Sequence, residues 1–263
     1  NRRHFYDFRF FQTIDTEPKA YWLGFLMADG CVYKNHVQIA LAIRDKDHIV
    51  NFTDTIKLHP APISEDKKTR SCRLTLSCYQ MTLDLAIHGC LTRKTYKMAF
   101  PTLQPQLVRH FIRGFFDGDG SIVLSRHNRR AIVSIVGLSS FLDAVRQHVG
   151  ISGNIYRTSS TVVHAWQFGA KRDVESFYHY LYDGASVWLN RKRQRFDLYF
   201  IHRLPEAIQS SRHVGVCFDR ARNRWSATAS KNNRSVYLGR FITEEEAHQV
   251  RLAYDKTQII AGH

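Results

Sequence analysis

The sequence predicts an α+β protein in which one αββαββα unit occurs twice, as a pseudo-twofold pair, followed by a small three-stranded sheet with one helix. Three observations carry this. Residues 21–30 (Y-W-L-G-F-L-M-A-D-G) and 111–121 (F-I-R-G-F-F-D-G-D-G-S) are both apolar nearly all round at helical spacing, which marks buried helices, and both run into Asp-Gly. The elements that follow recur at a near-constant offset: Asp29 to Asp119 is 90, Asp45 to Ser139 is 94, Tyr79 to Lys171 is 92 and Lys94 to Lys192 is 98. A repeat of that length used only twice is no solenoid. Finally, from Val214 the pattern changes to three short strands joined by polar turns, then Thr243-Glu244-Glu245-Glu246, a capping box opening a helix.

Taken in order, residues 1–18 are aromatic and basic, with Phe5, Tyr6, Phe8, Phe10 and Phe11 clustered to pack on the first helix. The start at Asn1 suggests further sequence upstream. In the two apolar helices, Gly24 and Ala28, and Gly114 and Gly118, stand four apart on one face, so the two backbones can approach closely. Gly30 and Gly120 suit the left-handed turn that stops a helix. Asp29 and Asp119 then sit at two adjacent helix C-termini. There the helix dipole opposes a carboxylate, and each carboxylate repels the other. A bound divalent cation removes both objections, and hard carboxylate oxygens suit Mg²⁺. Asp-Gly more often marks a plain turn; its appearance twice after matching helices favours the paired site.

Strands are expected at 31–33 and 37–44, where Val37, Ile39, Leu41 and Ile43 alternate with Gln38, Ala40, Ala42 and Arg44. Asp45 is placed to cap a helix to about Lys57. A further strand spans 70–78, with Arg73, Thr75 and Ser77 outward, and a helix from Tyr79 to His88 closes at Gly89. The second copy repeats this with strands at 121–125, 130–138, 155–159 and 163–168 and helices at 139–148 and 171–182. A two-stranded ribbon fits the DNA major groove. The outward strand residues Gln38, Arg44, Arg73, Thr75, Ser77, Arg126, Arg130, Ser134, Arg157 and Gln167 are therefore candidates to read bases. Lys94 and Lys192, which recur in the same Arg-Lys pair, and then Lys97, are candidates to polarise water around such a cation.

The paired stretches resemble the signature of the LAGLIDADG homing endonucleases. Ile112, Gly114, two large apolar residues, Asp117, Gly118, Asp119 and Gly120 fall into register in the second copy, and Trp22 to Gly30 in the first. The first copy departs at Met27, where the family usually has its first Asp. The resemblance implies a pseudo-dimer whose two antiparallel sheets form a saddle on double-stranded DNA, one chain acting as a monomer and cutting both strands. It also implies that the second acidic positions, Asp29 and Asp119, hold the metal, helped by the backbone carbonyls of Ala28 and Gly118. Mg²⁺ is the expected cofactor, with Mn²⁺ or Ca²⁺ able to occupy the site. Two other readings stay open: an RNA-splicing maturase, and a non-cleaving DNA-binding regulator on the same scaffold.

The duplicated region is expected over 1–203 (repeats about 19–101 and 107–200), a linker over 204–213 and a second domain over 214–263. That last stretch, with G-V-x-F, Trp225, Y-L-G-R-F and E-E-A…A-Y-D, resembles the DNA-binding domain of the APETALA2/ethylene-response-factor family. The family's sheet enters the major groove, which implies DNA contacts from Arg220, Arg222, Arg224, Trp225, Thr228 and Arg234; core packing is the alternative for Trp225.

Composition agrees with a polyanionic partner: net charge is +15 and the pI is about 9.8 on a 44% hydrophobic chain. No apolar run approaches the roughly 20 residues of a membrane span, and no signal peptide is read at the start. The five cysteines form no C-x-x-C pair, so buried thiols in an intracellular protein are expected rather than disulfides or structural zinc. The histidines show no metal-ligand spacing.

Overall fold

The computed structural model describes residues 6–90, 98–125, 130–159, 162–201, 211, 213–219, 222, 224–231 and 234–260. The chain splits into two compact units, Asn1–Tyr199 and Phe200–His263.

The first unit runs α1 (Glu17–Ala28), β1 (Gly30–Tyr33), β2 (His36–Ala42), α2 (Lys46–Thr55), β3 (Ile63–Asp66), β4 (Ser71–Ser77) and α3 (Tyr79–Ile87). It then repeats the order with α4 (Pro105–Asp119), β5 (Gly120–Leu124), β6 (Ala131–Gly137), α5 (Ser139–Val149), β7 (Asn154–Arg157), β8 (His164–Phe168) and α6 (Lys171–Tyr182). Each copy forms one antiparallel sheet, and the strand orders match: β1-β2-β4-β3 and β5-β6-β8-β7. The αββαββα unit is thus present twice. An unexpected helix, α7 (Asn190–Ile201), contains the Arg191-Lys192-Arg193 run.

Alternation sets the faces. Val37, Ile39, Leu41, Cys72, Leu74 and Leu76 point into the core of the first copy, as Ile122, Ala131, Val133, Ile135, Trp166 and Phe168 do in the second. Behind the second sheet Phe177 meets Phe116 and Phe168 edge-on, with ring centres 5.2 Å apart in both pairs. Offset and edge-on aromatic packing of this kind adds to the burial gain.

Boundaries moved at several places. β2 stops at Ala42, and Arg44 lies in a short 3₁₀ turn over Ile43–Asp45. Asp45 makes no side-chain cap to α2; its buried carboxylate instead takes Arg191 Nε at 3.0 Å, joining the first copy to α7. β3 was not foreseen, because I-S-E-D carries almost no alternation. Gly30 and Gly120 are not left-handed: Gly120 has φ −85° and ψ 164°, and each is the first residue of a strand. Glycine is required there by space. A β-carbon on Gly30 would lie 2.6 Å from Leu26 O, and one on Gly120 2.5 Å from Phe116 O.

The second unit pairs β9 (Val216–Asp219), β10 (Arg224–Lys231) and β11 (Arg234–Phe241) in the order β11-β10-β9, with α8 (Glu244–Ile260). Ala247 of α8 packs with Val216 and Ala227, joined by Trp225, Leu238 and Phe241. The capping box forms: Glu246 N donates to Thr243 Oγ1 and Thr243 N to Glu246 Oε2, both at 3.2 Å.

Candidate active site

The site is built on the seam between α1 and α4. All of α1 from Ala20 to Ala28 is buried, as is α4 from Phe111 to Asp117. Gly24 and Gly114 meet the backbone of the facing helix, and Gly118 meets Ala28. A β-carbon on Gly24 would lie 2.9 Å from Phe115 N, and one on Gly114 2.9 Å from Phe25 N. One on Gly118 would strike Ala28 Cβ and lie 3.1 Å from Asp29 N. The C-terminal ends of the two helices therefore touch where Asp29 and Asp119 stand. Asp29 is exposed and Asp119 half-buried.

Lys192 closes this corner from α7. It is only 4% exposed, and its ammonium donates to three backbone carbonyls: Phe116 at 2.5 Å, Gly118 at 3.0 Å and Gly120 at 2.6 Å. Gly118 O is among the last-turn carbonyls that a helix end leaves without an intrahelical partner, whereas Phe116 O also accepts from the Gly120 amide. Burial pulls the ammonium down to about 8, against the opposing pull of Asp117, Asp29 and Asp119. Both candidate metal ligands thus lie within its electrostatic reach. All three donors are committed, so the expectation that Lys192 polarises water gives way to a capping and positioning contact.

Asp117 is fully buried. Its Oδ2 accepts from Tyr21 Oη and from Leu189 N, both at 2.7 Å, and its Oδ1 has no hydrogen-bond partner among the described residues. Burial pushes this carboxyl up to about 6, even with the Lys192 charge pulling it down. Tyr21 gives its one proton to Asp117, so His48 Nε2, 3.0 Å from Tyr21 Oη, is the donor in that contact. Burial holds His48 neutral, at about 3. The Leu189 amide that Asp117 holds lies just ahead of α7, so Asp117 positions the helix that carries Lys192. Buried Arg113 fixes the same segment: it donates to Val187 O and Leu181 O at 2.8 Å and pairs with Glu17 at 2.5 Å. Glu17 also accepts from Ser186 N. Sequence reasoning missed Tyr21, His48, Glu17 and Arg191 as parts of this site; Asp117 and Arg113 stood inside the signature stretch without an assigned partner.

Two carboxylates and the backbone carbonyls of Ala28 and Gly118 stand at the two helix ends, and oxygen donors of this kind suit a hard divalent ion; the Gly118 oxygen also accepts from the Lys192 ammonium. Among the described residues no cluster of three or more His, Cys, Asp and Glu is placed for a metal.

The expected base-reading residues divide. Gln38, Arg73, Thr75 and Ser77 share the outward face of the first sheet, with Gln38 and Thr75 paired in register and hydrogen-bonded at 3.0 Å. Ser134 and Gln167 pair on the outward face of the second sheet, and Arg130 continues that face just ahead of β6. Arg157 does not join them. It is two residues from Ile155, which opposes the buried Trp166, so the pleat gives Arg157 the opposite parity from Asn154 and Tyr156, although its side chain is exposed at the end of β7. Arg44 is exposed but off the strand. Lys94, Lys97, Arg126 and Arg220 lie outside the described residues.

In the second unit Arg224 is exposed. Arg222 pairs with Asp219 at 3.2 Å, as does Arg240 at 3.1 Å, the latter unforeseen. Thr228 Oγ1 donates to Gly215 O at 3.3 Å. Arg234 is the first residue of β11. Trp225 is corrected: it packs against the Val216–Ala227–Ala247 cluster and edge-on to Phe218, with ring centres 5.1 Å apart, and so belongs to the core side of its sheet.

Residues 106–182 match the family model of a LAGLIDADG-like domain. That span runs from α4 to α6. No curated protein matches the chain. Among solved structures, the I-LtrWI LAGLIDADG homing endonuclease bound to target DNA aligns at TM-score 0.48 and 11% identity, over 74% of this chain and 90% of that one. I-SmaMI bound to cleaved DNA aligns at 0.48 and 12%, over 72% and 89%. The meganuclease I-AabMI bound to uncleaved DNA aligns at 0.48 and 13%, over 72% and 91%. Among the described residues no helix is long and apolar enough to cross a membrane.

Proposed function

We propose that this chain is a divalent-metal-dependent DNA endonuclease that hydrolyses phosphodiesters of a long double-stranded target. One observation carries the reading: two aspartates end two helices whose backbones touch. A helix C-terminus is a poor place for one carboxylate and a worse one for two, unless a cation joins them. A hard divalent ion such as Mg²⁺, held by Asp29, Asp119 and the Ala28 and Gly118 carbonyls, would supply a Lewis acid and a bound water of lowered pKa.

The chain's own groups do the rest. Lys192 grips the carbonyls of Gly118 and Gly120 on either side of Asp119, which fixes that carboxylate's backbone. Asp117 and Arg113 hold the segment leading into α7 and so set where Lys192 stands. The outward faces of the two sheets, with Arg73, Gln38 and Thr75 on one and Arg130, Ser134 and Gln167 on the other, meet the major groove. The large positive charge supports a nucleic-acid substrate. Domain limits near 1–203 and 214–263, with the second unit adding DNA contacts through Arg222 and Arg224, complete the proposal.

The test is cleavage of a randomised duplex library with Mg²⁺, followed by sequencing of the ends. Asp119→Asn should abolish cutting while duplex binding persists; Asp29→Asn should leave at least one strand uncut, seen as nicked product. Full cutting by either variant removes the proposed site. Tight binding by the parent without any cutting would favour a regulator instead.

A further inference from the structure

The two sheets repeat one topology but not one surface chemistry. On the outward face of the second sheet, Val123 of β5 and Ile132 of β6 are direct cross-strand partners. They are 58% and 45% exposed, although both are aliphatic and β-branched. Their strand neighbours Ile122, Ala131 and Val133 are buried, so the pleat leaves no doubt which way this pair points. Directly beside it on the same face stands Ser121–Ser134, hydrogen-bonded at 2.9 Å, with Gln167 paired to Ser134 and Arg130 beyond Ile132. In the first sheet the corresponding pair is Tyr33–His36, aromatic and polar, beside Cys31–Gln38.

Two facing β-branched side chains make a continuous apolar patch whose exposure costs free energy in water. It is framed by hydroxyl, amide and guanidinium groups on the surface assigned above to the major groove. In that groove the one apolar feature of a base edge is the 5-methyl group of a pyrimidine. Resting on the DNA-binding reading of this face, we propose that Val123 and Ile132 read pyrimidine 5-methyl groups, thymine in ordinary DNA, in the half-site bound by the second repeat. The half-site under the first repeat meets Tyr33, His36 and Gln38 at the matching register positions, which offer hydrogen bonds. The target is therefore asymmetric in chemistry even though the scaffold is a repeat.

The test uses the full chain and a duplex selected by it from a randomised library. Each thymine of that duplex is replaced in turn by deoxyuridine, which removes only the methyl, and dissociation constants are measured at one salt concentration. One or two positions, confined to one half-site, should lose about fourfold each, the effect of one buried methyl group. Putting cytosine at those positions should weaken binding, and 5-methylcytosine should recover a similar factor. Val123→Ser with Ile132→Ser removes every methyl group of the patch and should abolish the distinction between thymine and uracil in that half-site alone. Equal binding of thymine and uracil duplexes throughout would overturn the inference, as would discrimination that survives in the double variant. Failure to select any duplex would overturn the DNA-binding reading itself, a separate result.

Discussion

Replacing Gly114 by alanine tests the seam on which the site depends. The added carbon falls against the Tyr21 carbonyl oxygen, 2.8 Å from Tyr21 C and 2.9 Å from Phe25 N. All three neighbours are α1 backbone, so no change of rotamer relieves them. Carbon contacts are comfortable from about 3.5 Å, and the helices must part by roughly 1 Å. Overpacking of a close-packed interior costs about 1–3 kcal/mol, and a rigid backbone neighbour places this case at the upper end. For a unit of this size about 3 kcal/mol lowers Tm by roughly 6–12 °C. Gly137→Ala is the control: its β-carbon would meet Phe141 Cδ1 at 3.4 Å and Leu142 Cδ2 at 3.6 Å, ordinary contacts with side chains, and should change stability by less than about 0.5 kcal/mol. Urea and thermal melts of both variants beside the parent give the comparison, and cleavage below the melting range reports whether the two aspartates still meet. If Gly114→Ala melts with the parent, the helices do not pack through this residue and the site as drawn fails.

Lys192→Met should preserve volume but leave the Phe116, Gly118 and Gly120 carbonyls without their donor, costing about 2–4 kcal/mol in a urea titration. A purely catalytic lysine would leave the midpoint unchanged or raised, and that result would remove the capping role. His48, held near 3 by burial, contributes stability that is fully present above its ordinary value of 6.5 and drains away as pH falls toward 3, to a ceiling of about 4–5 kcal/mol. Asp117, pushed to about 6, has the opposite sign: its contribution is present below 3.8 and lost as pH rises through 6. Urea midpoints between pH 7 and 4 should therefore fall less steeply in His48→Gln than in the parent, and an identical slope would refute this. Arg222→Ala with Arg224→Ala should flatten the slope of log K against log salt by up to about 1.8 if both side chains meet phosphates. An unchanged slope would leave the second unit without those contacts.

Much was legible in the chain because it is written in short periods. Glycine and alanine at four-residue spacing sufficed to say that α1 and α4 meet backbone to backbone, since helix geometry alone puts such residues on one face. Alternation set the outward faces of β2, β4 and β6, and Thr243 with Glu246 marked the start of α8. What the sequence could not decide were partners chosen across distance. Lys192 meets carbonyls more than seventy residues away, and Arg191 meets Asp45, 146 residues earlier. A basic tripeptide looks the same whether it faces phosphate or caps a buried helix; only the fold, by withdrawing Lys192 from water beside the carbonyls at the end of α4, chose the second. Gly30 and Gly120 were read as turn formers, because backbone freedom is a local property, whereas the crowding by Leu26 and Phe116 that requires glycine exists only after the strand folds back on its helix. Arg157 and Trp225 changed sides for a related reason. Strand parity follows from register, and register was set by their partners Trp166, two residues from Arg157's place, and Phe218 with Phe241, not by the two residues themselves.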